Sequence, residues 1–232
     1  MFASTYWSVV LRAGTEESAE ARDALGELCR TYWKPVYVFV RGRGYSPPDA
    51  EDLTQGFFEH LLERKVVGKA DRERGRFRAF LLVCLKHYLA SNQRREHAQR
   101  RCPGRDDFIG SAEMEPRLVR DPSFGVDPER TYERHWATTL LEKVLTGLEA
   151  EMREAGMGEL FAQLRAHVCR EEEAVPYREL AERTGVEEGT LRTRVSRLRG
   201  RYRERLREAI RQTVATEEEV DDEIRHLMDV LS

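Results

Sequence analysis

The chain has 232 residues, enough for one compact domain or two small ones, and 39 Lys+Arg against 42 Asp+Glu leave a net charge of −3. No apolar run nears the roughly 18 residues of a membrane span, and residues 1–10 lack the basic start, apolar run and cleavage site of a secretory signal. Cys29, Cys84, Cys102 and Cys169 form no CxxC pair, so a cytoplasmic protein with no disulfide framework and no membrane partner is expected.

Period-3.6 patterns dominate, and an all-α fold is expected. Ala21–Arg43 reads as a helix with Leu25, Leu28, Tyr32, Val36, Phe39 and Val40 on one face and a kink or break at Pro35. A second helix runs from Pro48 to about Lys65, with Ala50, Leu53, Phe57, Leu61 and Leu62 as its buried stripe. Asp49, Glu51, Asp52, Gln55 and Glu59 give it an acidic, hydrogen-bonding face. First-turn acids also steady the helix by up to about 1 kcal/mol each, a gain closed to Gln55 and Glu59.

The third helix, Arg76 to about Arg101, starts apolar and ends basic. It combines Arg76, Arg78, Lys86, His87, Arg94, Arg95, Arg100 and Arg101 with Phe77, Phe80 and Tyr88. Such a mixture suits single-stranded DNA, where cations follow phosphates and rings stack on bases. Core packing is the more ordinary role of Phe77 and Phe80. The segment 103–126 is rich in Pro and Gly without a sustained period, and reads as a linker. Asp127-Pro128-Glu129 then supplies a cap, a proline and a first-turn acid in the order a helix start requires. Helices are expected over 128–155, 158–170, 176–184 and 187–213.

Tyr177–Val195 fits a helix-turn-helix. Leu180 and Ala181 sit mid-way along the first helix, Gly185 falls at the tight turn, Val186 plugs it, and Leu191 returns to the shared core. Leu191, Val195, Leu198, Tyr202 and Leu206 form the buried stripe of the second helix. Thr190, Arg192, Thr193, Arg194, Ser196, Arg197, Arg199 and Arg201 occupy its other faces, where Arg can bond guanine and Thr or Arg can take phosphate. An ordinary helical hairpin with a solvated Arg-rich exterior is the bland alternative.

Local charge favours the nucleic-acid reading. Residues 64–105 hold 13 basic and 3 acidic groups, too few acids to pair the bases, and 187–211 hold 9 and 4. Between them, 106–175 hold 8 basic and 16 acidic groups. Two basic blocks separated by an acidic stretch suit two contacts with a polyanion.

Asp49-Ala50-Glu51-Asp52-Leu53-Thr54-Gln55-x-x-Phe58, followed by Gly75-Arg76-Phe77-Arg78-Ala79-Phe80-Leu81 and Arg94-Arg95, resembles region 2 of bacterial sigma factors of the extracytoplasmic-function group, within the sigma-70 family. The helix-turn-helix downstream resembles their region 4. Thr5–Gly14, Asp52–Phe58 and Glu217–Leu231 together are similar to a planctomycete-type subgroup. The resemblance implies two small helical domains: a region 2-like domain over 1–105, an acidic linker over 106–127, a region 4-like domain over 128–213 and an acidic tail helix over 214–232. It further implies docking of the acidic face on core RNA polymerase through its β and β′ subunits, capture of a flipped −10 base by Arg76–Arg101, and reading of the −35 duplex by Thr190–Arg201. The chain would then make and break no bond and need no cofactor. An anti-sigma factor or a Ser/Thr kinase are regulators it allows. His87, Ser91 and Phe80 stand where the family often has Asn, Asp and Trp, so the −10 sequence does not carry over. The competing reading is a stand-alone helix-turn-helix repressor or activator.

Three smaller expectations complete the sequence. The tail places Val220, Ile224, Leu227 and Leu231 on one face, which either caps the carboxy-terminal helix pair or lays its acids over the Arg-rich helix. Thr54, beside the acidic motif, is a candidate phosphorylation site. The pairs Cys84/His87 and His97/Cys102 do not close a tetrahedral site, so no metal is expected.

Overall fold

A computed structural model describes residues 19–64, 66–70, 75–98, 124–169 and 174–232. Among them the regular structure is eight α-helices and one 3-10 turn, with no strand. None of these helices is long and apolar enough to cross a membrane. Most of the acidic segment 106–127 lies outside the described residues. The chain forms two compact units, one of Met1–Thr139 with Arg211–Ser232 and one of Leu140–Ile210. They divide within two helices, at 139/140 and 210/211.

The first unit contains α1 (Ala19–Gly42), α2 (Pro47–Glu63), the 3-10 turn (Val66–Lys69) and α3 (Phe77–Ala98). To these it adds the first half of α4 (Pro128–Glu154) and, from the chain's end, α8 (Glu219–Leu231). Of the kink or break expected at Pro35, the break does not occur, and α1 stays helical through it. Burial of Tyr32 and of all five residues Val36–Val40 outweighs the hydrogen bond that the proline removes. α4 packs against the apolar face of α1. Tyr132 meets Phe39 edge to face, centroids 6.4 Å apart, and a Cβ on Gly42 would lie 3.3 Å from that of Pro128.

α2 begins where its sequence says it should. Ser46 caps it, accepting from the Asp49 N–H and donating to the Asp49 carboxylate at 2.6 Å, while Pro47 and Pro48 occupy positions that need no N–H donor. Ala50, Leu53, Phe57 and Leu61 are buried as expected, but Leu62 is exposed, and Thr54 and Phe58 complete the stripe instead. Phe58 stacks on Trp33 and Phe57 tilts against Tyr88, which joins α2 to α1 and α3. On α3, Phe77 lies in the core against Tyr32, and Phe80 is half-buried.

The second unit contains the rest of α4, α5 (Gly158–Cys169), α6 (Tyr177–Thr184) and α7 (Glu188–Arg211) up to Ile210. Leu145, Leu148, Phe161, Leu164, Leu180 and Leu191 anchor its core. Asp127 caps α4, its carboxylate accepting from the Arg130 N–H at 2.9 Å, as the Asp-Pro-Glu run predicts.

Candidate nucleic-acid interface

The turn between α6 and α7 is set by one residue. Gly185 adopts φ 67°, the left-handed region that a Cβ disfavours, and its N–H closes α6 on the Ala181 carbonyl at 2.9 Å. The Thr184 hydroxyl donates to the Leu180 carbonyl and accepts from the Val186 N–H, which holds the chain as it reverses. Leu180, Leu191, Val195 and Leu198 are buried together, with Ala181, Val186 and Tyr202 packed against them. That fixes the rotation of α7. Thr190, Thr193, Arg194 and Arg197, at i, i+3, i+4 and i+7, line an open surface depression with Glu187 and Gly189, and all four are exposed.

The remaining predicted duplex contacts are placed differently. Arg192 pairs with Glu188 at 2.6 Å and lies 4.4 Å above the Tyr177 ring. Ser196 is exposed, but helical geometry puts it on the side away from Arg194. Arg199 donates twice to the His167 carbonyl, at 3.1 and 2.7 Å, and so closes the end of α5 rather than facing outward. Arg201 pairs with Glu151 at 2.7 Å. A run of alternating arginines covers more than one face of a helix, and the buried stripe of α7 decides which face each one takes.

In the first unit, Asp52 and Glu59 are exposed on α2, with Glu51 and Gln55 half-buried. Gln55 donates to Glu59 at 3.1 Å, one turn along. Asp49 is exposed but engaged in the Ser46 cap, so its carboxylate already has a local role. Thr54, in contrast, is 0% exposed, and its hydroxyl has no hydrogen-bond partner among the described residues. It sits beneath this face, where no kinase reaches it, and the phosphorylation reading falls. The expected stripe of Ala50, Leu53, Phe57, Leu61 and Leu62 passes on either side of position 54 without including it, whereas the buried face of α2 takes in Thr54.

On α3, His87 and Arg94 are exposed, Arg94 donating to the Ala90 carbonyl at 3.1 Å. Lys86 pairs with Glu129 at 2.6 Å. Arg100 and Arg101, and the side chain of Arg95, lie outside the described residues. An open cavity of about 260 Å³ between α2 and α3 is lined by His60, Cys84, His87, Tyr88, Ser91 and Asn92.

Arg78 is the clear correction. Read from sequence as a phosphate contact, it is 2% exposed, its Nε donates to Glu133 at 2.6 Å, and its Nη1 and Nη2 engage the Glu223 carboxylate of α8. The guanidinium lies 4.1 Å from the centre of the Trp136 ring. Glu223 is 0% exposed and also accepts from Arg76 Nε at 2.8 Å, and His226 reaches Glu133 at 3.2 Å. Burial alone would depress the Arg78 pKa, but the carboxylates of Glu133 and Glu223 outweigh it and raise it above its ordinary value. The cluster is a buried ionic network with two guanidinium cations and two carboxylates.

Sequence reasoning missed Glu133, Trp136, Glu223 and His226. It expected α8 to meet the helix-turn-helix, whereas α8 belongs to the first unit and engages α3 there. The buried side of α8 is Val220, Glu223, Leu227 and Val230, not the expected Val220, Ile224, Leu227 and Leu231. An acid three residues after Val220 and four before Leu227 falls in the apolar register, and that was the readable signal.

No protein-family model, curated protein or solved structure matches the chain.

Proposed function

We propose that the protein is a sigma factor of the extracytoplasmic-function type, binding core RNA polymerase and directing initiation at specific promoters. The observation that carries this reading is the helix-turn-helix of α6 and α7, with Thr190, Thr193, Arg194 and Arg197 together on an open face. Such a helix enters a major groove by its first turns, with Arg bidentate to guanine and Thr to phosphate or base edges. This is the −35 contact.

The first unit separates a sigma factor from an operator-binding repressor. An exposed acidic face on α2 packs next to a helix, α3, that ends in cations, and these two faces suit a protein partner and a nucleic-acid strand respectively. Asp52, Glu59 and their neighbours dock on core polymerase, and His87, Arg94 and the arginines that follow hold the −10 strand. The cavity lined by His87, Tyr88, Ser91 and Asn92 offers an unstacked base hydrogen-bonding groups and a ring, returning part of the few kcal/mol that unstacking costs. The first unit, which includes the acidic segment 106–127, then acts as region 2 and the second as region 4. Core polymerase mixed with the purified protein should co-elute with it in size-exclusion chromatography. Asp52→Arg should abolish co-elution while leaving the circular-dichroism spectrum unchanged, and co-elution that survives this reversal would rule out docking through α2.

A further inference from the structure

The buried position of Glu223 calls for an explanation that packing does not supply. A leucine in the apolar register of α8 would bury without desolvating a charge, and a buried ion pair is seldom more stabilising than apolar residues of the same volume. Glu223 instead brings its carboxylate to two cations on the helix read as strand-binding. Docked, the charges of Arg76 and Arg78 are matched by those of Glu133 and Glu223. With α8 withdrawn, only Glu133 remains, and the site carries one net positive charge. Arg76, 33% exposed, has Glu223 as its partner and lies next to the half-buried Phe80.

α8 is also built to leave. It has 13 residues, too few to hold a helix by itself in water, and it follows the non-helical stretch 212–218. Its outer face carries Asp221, Asp222 and Asp229, all exposed, which repel an approaching phosphate chain.

We propose that α8 is an autoinhibitory latch, in which Glu223 occupies Arg76 and Arg78 so that α8 docking and binding of a single DNA strand by α3 exclude each other. The latch rests on the reading of α3 as a strand-binding helix. When α8 leaves, Arg76 becomes free for phosphate while Arg78 keeps Glu133 and Trp136.

The test measures fluorescence anisotropy of a labelled oligothymidylate with the full chain, Glu223→Gln, and Asp229→Asn. The Asp229 variant changes the charge of α8 equally but at an exposed position. Glu223→Gln should bind several-fold more tightly than the full chain and steepen the salt dependence by roughly 0.7 for each phosphate contact recovered. Asp229→Asn should do neither, and Arg76→Ala placed in the Glu223→Gln chain should remove the gain. Equal affinity of the full chain and a folded Glu223→Gln overturns the latch, and so does an equal gain from Asp229→Asn.

Hydrogen exchange on the unaltered chain covers the case in which the variant misfolds. Saturating oligothymidylate should speed exchange of the amides in 219–231, and slowed or unchanged exchange there overturns the latch. If none of the chains binds the oligonucleotide while duplex binding persists, the reading of α3 itself is overturned and the latch with it.

Discussion

Arg76 and Arg78 at the start of α3 and Arg194 and Arg197 on α7 are equivalent by composition: each pair stands in a basic block rich enough to suggest nucleic acid. The structure separates them. Arg78 is consumed internally by Glu133 and Glu223, residues 55 and 145 positions away, whereas Arg194 and Arg197 face an open depression. Counting acids within a segment shows that a block has unpaired charge in sequence. It does not show which cations stay unpaired after folding, since carboxylates from distant segments do the pairing. Arg194 and Arg197 are open in the structure, whereas Arg76 and Arg78 are engaged by Glu223 of α8.

The largest expected effect breaks the buried side of this comparison. Arg78→Ala leaves Glu133 and Glu223 short of a partner inside the first unit and should cost about 3–5 kcal/mol in urea unfolding. Arg194→Ala, at an exposed position, should stay within about 0.5 kcal/mol of the parent. Equal destabilisation by the two would erase the distinction. Leu191→Ala should cost about 2–5 kcal/mol, because Leu191 is fully buried where α6 and α7 share their core. It should also loosen duplex binding by letting the recognition face rotate.

Binding sharpens the other side. Arg194→Ala should lose about 1–3 kcal/mol of affinity for a specific −35 duplex in electrophoretic mobility shifts. Arg199→Ala should lose less at the DNA and more in the melting temperature, because its guanidinium is spent on the His167 carbonyl. The smallest change carries the opposite sign. Thr54→Val keeps the shape of a buried side chain and removes a hydroxyl with no partner among the described residues, so it should raise stability by about 1 kcal/mol in thermal melts.

Much of the architecture was legible in the sequence. Ser46-Pro47-Pro48 and Asp127-Pro128-Glu129 announced two helix starts through capping chemistry that needs only local residues. Gly185 announced the turn for the same reason, and Leu191, Val195 and Leu198 fell on the buried stripe because apolar periodicity and burial coincide there. What the sequence hid depends on partners far along the chain. Tyr37 and Val38 fall off the apolar stripe of α1 in the sequence, yet both are fully buried. Glu223 looks like one of many surface acids until Arg76 and Arg78 are placed beside it. For the same reason Arg199 and Arg201 were read as duplex contacts, although a carbonyl and Glu151 claim them.

Run-off transcription tests the central claim most directly. Core polymerase, this protein and fragments of its own upstream region should give start-specific transcripts that depend on the protein. These should vanish with Asp52→Arg and weaken with Arg194→Ala. Specific duplex binding with no binding to core polymerase and no initiation would contradict the account and establish a stand-alone helix-turn-helix regulator instead.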